Sequence, residues 1–218
     1  MNDLHYTLLS DGPSDRALMP ILTWLLCEHL PARAVQPDWP DLRRLPDPPK
    51  KVSARIQAAL ELSPCDLLFV HRDAEIASID DRRTEIRNAL TEARSGVTMP
   101  LGIAVIPVRM TEAWLLIDAR AIREAAGNPN GTIQLDLPSL RDIESIADPK
   151  SLLHNLILEA TELSARRKRR FDVHSAVQRI PEYIEDFGVL RRLSAFSALE
   201  EELVETIKQQ AWDETSAP

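Results

Sequence analysis

Apolar residues recur along this chain in two rhythms. Residues 6–10 (YTLLS), 67–70 (LLFV) and 101–108 (LGIAVIPV) are short, nearly continuous apolar runs, as expected of strands buried on both faces of a parallel sheet. Pro107 suits a strand leaving the sheet. Between them the spacing turns helical over 14–30, 51–62, 79–93 and 111–117. Val52, Ile56, Ala59 and Leu60 share one face of the second of these. Ser14 or Asp15 is placed to cap the first helix, Pro20 to kink it and Pro31 to end it, and Ser78 is placed to cap the third. Residues 31–50 carry too many prolines for a long regular element and leave room for a brief strand at 34–36. Strand and helix in alternation imply an α/β fold, a parallel-sheet, Rossmann-like core with helices on both faces.

The texture changes near Asp118. A turn at Asn128–Gly131 precedes helical stretches at 149–163, 172–185 and 197–212. The last of these opens on Ser197 and Glu200 in capping-box spacing. The pattern predicts a core over 1–118, a helical C-terminal extension over 119–212 packed on it, and a frayed tail over 213–218.

Composition narrows the class of protein. With 218 residues, 44% apolar and 28% charged, the chain reads as globular, and a net charge of −8 excludes binding a polyanion by bulk attraction. Nucleic acid would need a local basic patch, and Arg166, Arg167, Lys168, Arg169 and Arg170 form the one dense run. No apolar stretch reaches the ~20 residues of a spanning helix, and the first residues lack the basic-then-apolar pattern of a secretion signal, so no membrane contact and a cytoplasmic location are expected. Cys27 and Cys65 read as reduced core thiols. No Walker-type glycine loop is present, so any ATP use needs a separate ATPase partner.

Acids mark the ends of the three best strands: Asp11 in SDG, Asp73 and Glu75 in VHRDAE, and Glu112 in RMTEAW. In a parallel sheet the carboxyl ends of the strands share one edge, where ligands bind. Asp73 and Glu75, two apart, project to one side if the strand continues through them, and His71 shares that side. Crowded carboxylates repel, and a divalent cation removes the repulsion. Mg²⁺ takes oxygen ligands and keeps waters that a phosphate can replace, with Mn²⁺ as the alternative ion. Asp11, Asp73, Glu75 and Glu112 are thus the candidate metal ligands, with Asp11, Asp73 and Glu112 catalytic. Arg72 and Arg109 are candidate phosphate contacts beside them. Trp114 reads as core.

LLSDGPSDRALMPIL, LLFVHRDAE and IPVRMTEAWLL, together with RRKRRFDVHSAVQRI, resemble the successive motifs of a TOPRIM-like bacterial family related to the OLD-type and RloB-type nucleases. By position Asp11 takes the place of the first acid, Asp73 and Glu75 that of the Asp-x-Asp pair, and Glu112 that of a third acid before Trp. The resemblance implies Mg²⁺-dependent phosphodiester chemistry in defence against phage or mobile DNA. Two side chains depart from it: Asp11 stands for the usual Glu, and Glu75 for the second Asp. The leading expectation is a metal-dependent nuclease or related phosphodiesterase acting on nucleic acid. The alternative is a catalytically weak binding or sensor subunit acting with a separate ATPase, and a homodimer is a further expected partner. A receiver-like phospho-acceptor domain fits less well, because no second acid adjoins Asp11 and no further clear strand ends in Lys.

Overall fold

The computed structural model describes residues 3–75, 77–94 and 99–213. Strand β1 (Leu4–Leu9) runs through a 3-10 turn (Pro13–Ala17) into α1 (Leu18–His29). Then come β2 (Val35–Asp38), α2 (Val52–Leu62), β3 (Leu67–His71), α3 (Ile79–Ala93) and β4 (Leu101–Val105). A 3-10 helix over Thr111–Leu115 leads to α4 (Ala119–Ala125), α5 (Pro149–Ala160), α6 (Ala165–Lys168), α7 (Val173–Arg179) and α8 (Ser194–Gln209). The strands are all parallel, in the order β2-β1-β3-β4. The α/β parallel-sheet class expected from the alternation is therefore the class observed.

The period-two rule sorts the strand residues between two cores. Leu4, Tyr6, Leu8, Leu67, Phe69, Ile103 and Val105 face α1 and the C-terminal helices, while Leu68, Val70 and Ala104 face α2 and α3. Helices cover both faces, which is why the strands read as continuous apolar runs. Trp114 is fully buried and meets Phe196 of α8 edge to face at 5.3 Å, so the segment after residue 118 shares the first core. No helix among the described residues is long and apolar enough to cross a membrane.

This order has one switch point. The chain leaves β1 through α1 toward β2 on one side, and leaves β3 through α3 toward β4 on the other. The connections part between the neighbours β1 and β3, opening a crevice at their carboxyl ends, the usual ligand position in such sheets.

Several elements differ from their sequence-based outline. α1 starts at Leu18, so Pro20 falls in its first turn, where its missing N–H costs no intrahelical hydrogen bond. β4 stops at Val105, short of Pro107. The stretch 111–117 is a 3-10 turn that ends at Leu115, and the helix expected over 172–185 yields to a 3-10 turn at Ile180 just before Pro181. α8 begins at Ser194, which puts Ser197 inside it, where its hydroxyl donates to Glu201, so the Ser197–Glu200 box does not form. Ser78 does cap α3, reciprocally with Asp81. Cys27 is exposed on the outer side of α1, whose inner side is Ile21, Leu22, Leu25 and Leu26, and Cys65 is half-buried; neither is the core thiol expected. The tail expected to fray lies, from residue 214 on, outside the described residues.

Candidate metal centre

Three side chains converge at the crevice: Asp15 from the turn after β1, His71 at the last position of β3, and Asp73 two residues on. One donor atom from each lies within 4.8 Å of the others. His71 Nε2 is 3.5 Å from Asp73 Oδ1 and 3.8 Å from Asp15 Oδ1. An octahedral ion with bonds of ~2.1 Å holds cis donors ~3.0 Å and trans donors ~4.2 Å apart, so sub-ångström shifts bring these atoms to coordination distance.

The imidazole carries the strongest constraint. His71 is 2% exposed, and its Nδ1 lies 3.0 Å from the carbonyl oxygen of Val105. A carbonyl only accepts, so Nδ1 bears a proton. In the neutral ring, Nε2 then presents its lone pair to two carboxylates, with the Thr111 hydroxyl at 3.3 Å. Lone pair against carboxylate is repulsive unless a proton or a cation lies between them. An Nδ1–H fixed by a backbone carbonyl is also the support that metal-binding histidines use.

Each acid is held by its own neighbours. Asp15 Oδ2 accepts the Gly12 N–H at 2.8 Å, a reciprocal cap, while its Oδ1 faces Ser14 Oγ at 3.2 Å and the imidazole. Neither Ser14 nor Asp15 caps α1 as expected, because α1 starts only at Leu18 after Ala17; Asp15 instead braces the 3-10 turn before it with one oxygen and accepts the Ser14 hydroxyl with the other. Asp73 Oδ1 accepts the Thr111 N–H at 2.9 Å. Burial pushes the Asp73 carboxyl up to about 6, helped by the charges of Asp15 and Glu112 and opposed by His71 and the Thr111 N–H.

The loops that aim these groups are laced together. Arg72 and Ala74 donate their N–H groups to Val105 and Pro107, and Glu75 donates to Arg109. Arg109 Nη1 returns a bond to the Glu75 carbonyl at 3.1 Å. Both residues sit at positive φ, 52° for Glu75 and 66° for Arg109, a conformation unfavourable by about 1–3 kcal/mol each outside glycine. The lacing holds Asp73 against Thr111.

The other acids named from the sequence are placed differently. The Asp11 carboxylate is paired with Arg55 of α2, which also reaches the Ser10 carbonyl, and with Arg72 at 3.4 Å. Glu75 is largely exposed and paired with Arg82 at 3.4 Å. Arg72 and Arg82 are further joined through Glu85. Around the mouth of a cleft of 290 Å³ thus runs a chain of alternating charges, above Asp15 and Asp73. Glu112 is buried, close enough to Asp73 to raise it, and paired with Lys150 of α5 at 3.5 Å. Arg109 is committed to Glu75. Arg166, Arg167, Lys168, Arg169 and Arg170 lie on and just after α6, mostly exposed, with no carboxylate partner among the described residues.

Sequence reasoning passes over Asp15 as a candidate donor because a helix cap accounts for it, and over His71 because it reads as a polar strand end. The His-x-Asp spacing at 71 and 73 was the available signal. Comparison of the chain with family models, with curated proteins and with solved structures gave no match.

Proposed function

We propose that this chain is a divalent-cation-dependent nuclease or related phosphodiesterase, with Asp15, His71 and Asp73 holding the ion and the cleft above them receiving the phosphoester. The observation that carries this reading is the buried His71 Nε2, facing two carboxylates with its other nitrogen already committed. A bound ion supplies polarisation of a phosphoryl oxygen and a more acidic water. The chain supplies the rest: Arg72 and Arg82 line the cleft with cationic donors, and Thr111 orients Asp73. One imidazole beside two carboxylates suits Mn²⁺ better than the Mg²⁺ expected from carboxylates alone.

The unpaired run at Arg166–Arg170 supports nucleic acid as the substrate over a small phosphoester. Relationship to the TOPRIM-like nucleases, and with it a role in defence, is supported by acids following β1, β3 and β4 of a parallel sheet. A second reading, a binding or sensor subunit working with a separate ATPase, is favoured by one specific observation: arginines neutralise Asp11 and Glu75, two of the acids that resemblance makes functional.

The test is cleavage of single- and double-stranded DNA and RNA with Mn²⁺ or Mg²⁺, by the parent and Asp73→Ala, with and without an added ATPase. Cleavage lost in the variant supports the nuclease. Equal rates for the two proteins overturn it, and binding without cleavage selects the sensor.

A further inference from the structure

The acids around the crevice are not equally free. Asp11 is held by Arg55 and Arg72, and Glu75 by Arg82. Glu112 is 5% exposed, and its one cationic partner among the described residues is Lys150, which enters from the first turn of α5. His154, one turn on from Lys150 in α5, is pushed toward its neutral form by burial and then by His174. With Lys150 cancelling Glu112, and arginines holding Asp11 and Glu75, Asp15 and Asp73 are the crevice carboxylates with no lysine or arginine partner among the described residues, and one divalent ion matches their charge.

We propose that Lys150 is a tethered cation that takes the electrostatic place of a second metal ion and makes the centre mononuclear. This rests on the metal-centre reading above and assigns Lys150 a positioning role through Glu112, with no contact to the ion. Its ammonium satisfies a buried carboxylate that would otherwise repel Asp73 or recruit an ion of its own. It also couples the C-terminal helical layer to the site, since α5 brings the charge to a turn that follows β4. Lys150 is partly exposed, with its side chain 42% accessible, so its replacement opens no cavity in the core.

The experiment is titration of the full chain with Mn²⁺, read by calorimetry and by the free-Mn²⁺ electron paramagnetic resonance signal. The parent binds one ion per chain. Lys150→Met binds the first ion about tenfold more tightly or admits a second, because the field of a unit positive charge is gone while Glu112 remains. Lys150→Arg keeps parental behaviour. Glu112→Gln with Lys150→Met restores the parental charge and with it one ion of parental affinity, and this double variant covers the case in which Lys150→Met alone fails to fold. A parent that binds two ions, or a Lys150→Met protein that titrates like the parent, overturns the role of Lys150 and leaves the metal centre standing. A parent that binds none overturns the metal centre itself.

Discussion

Replacing Asp73 with Asn should make the metal-free protein more stable. Asp73 is half-buried at the sheet edge, and its carboxyl lies at about 6 rather than 3.8, with burial the largest cause. A group whose folded pKa is raised binds its proton more tightly in the folded state. Stability from this side chain is thus fully present below about pH 4 and is lost as pH rises toward 6, where the folded carboxyl ionises. The shift corresponds to ~3 kcal/mol at neutral pH and above, held against the fold by an ionised Asp73. Asn has the same shape, accepts the same Thr111 N–H and carries no charge. In EDTA at pH 8, Asp73→Asn should therefore unfold ~6–12 °C above the parent, on the scale of ~2–4 °C per kcal/mol for a chain of this size. At pH 4 the two should converge. Mn²⁺ at a hundredfold excess over its dissociation constant should stabilise the parent by about 2.7 kcal/mol and leave the variant unmoved. Thermal melts at pH 4, 6 and 8, with EDTA and with Mn²⁺, give every quantity. A variant less stable than the parent in EDTA at pH 8 would refute the reasoning, because Asp73 would then be an ordinary structural acid.

Other outcomes separate the acids from one another. His71→Ala should lower Mn²⁺ affinity at least about 100-fold by calorimetry, since it removes a direct donor and its backbone support together. Asp11→Asn and Glu75→Gly should each leave that affinity within about twofold, because arginines already hold those carboxylates. Glu75→Gly should also hold or raise the melting temperature, by relief of a positive φ against loss of an exposed ion pair worth under about 1 kcal/mol. Replacing Arg166, Arg167, Lys168, Arg169 and Arg170 with Gln should weaken nucleic-acid binding and flatten its log–log salt dependence by about 0.9 per lost phosphate contact, measured by fluorescence anisotropy across a salt series. An unchanged slope would remove that segment from the interface.

Much of the frame was legible from local pattern. LLFV and LGIAV announced buried strands because both faces of the sheet are covered, and Ser78 announced α3 because its cap is made within four residues. The carboxyl-end clustering followed from parallel topology alone. Which acids converge was less legible, because it depends on partners distant in sequence. Arg55 reaches Asp11 across 44 residues, and Lys150 reaches Glu112 from the far helical layer. No spacing rule in the sequence announces either pairing. Asp15 has a different reason. Its carboxylate braces the turn at Gly12 with one oxygen and faces the His71 imidazole with the other, so a local role conceals a longer-range one. The misplaced start of α8 follows the same logic: Glu200 spaces correctly from Ser197, yet it is engaged by His29 and Arg191, which pin α8 to α1.

The most direct measurement is anomalous diffraction at the manganese edge from crystals of the parent soaked in Mn²⁺. A single peak bonded to Asp15, His71 Nε2 and Asp73, with Asp11 still on Arg55 and Glu112 still on Lys150, is the result expected here. A peak bound instead by Asp11 and Glu75, or no peak in the crevice at saturating ion, would contradict it.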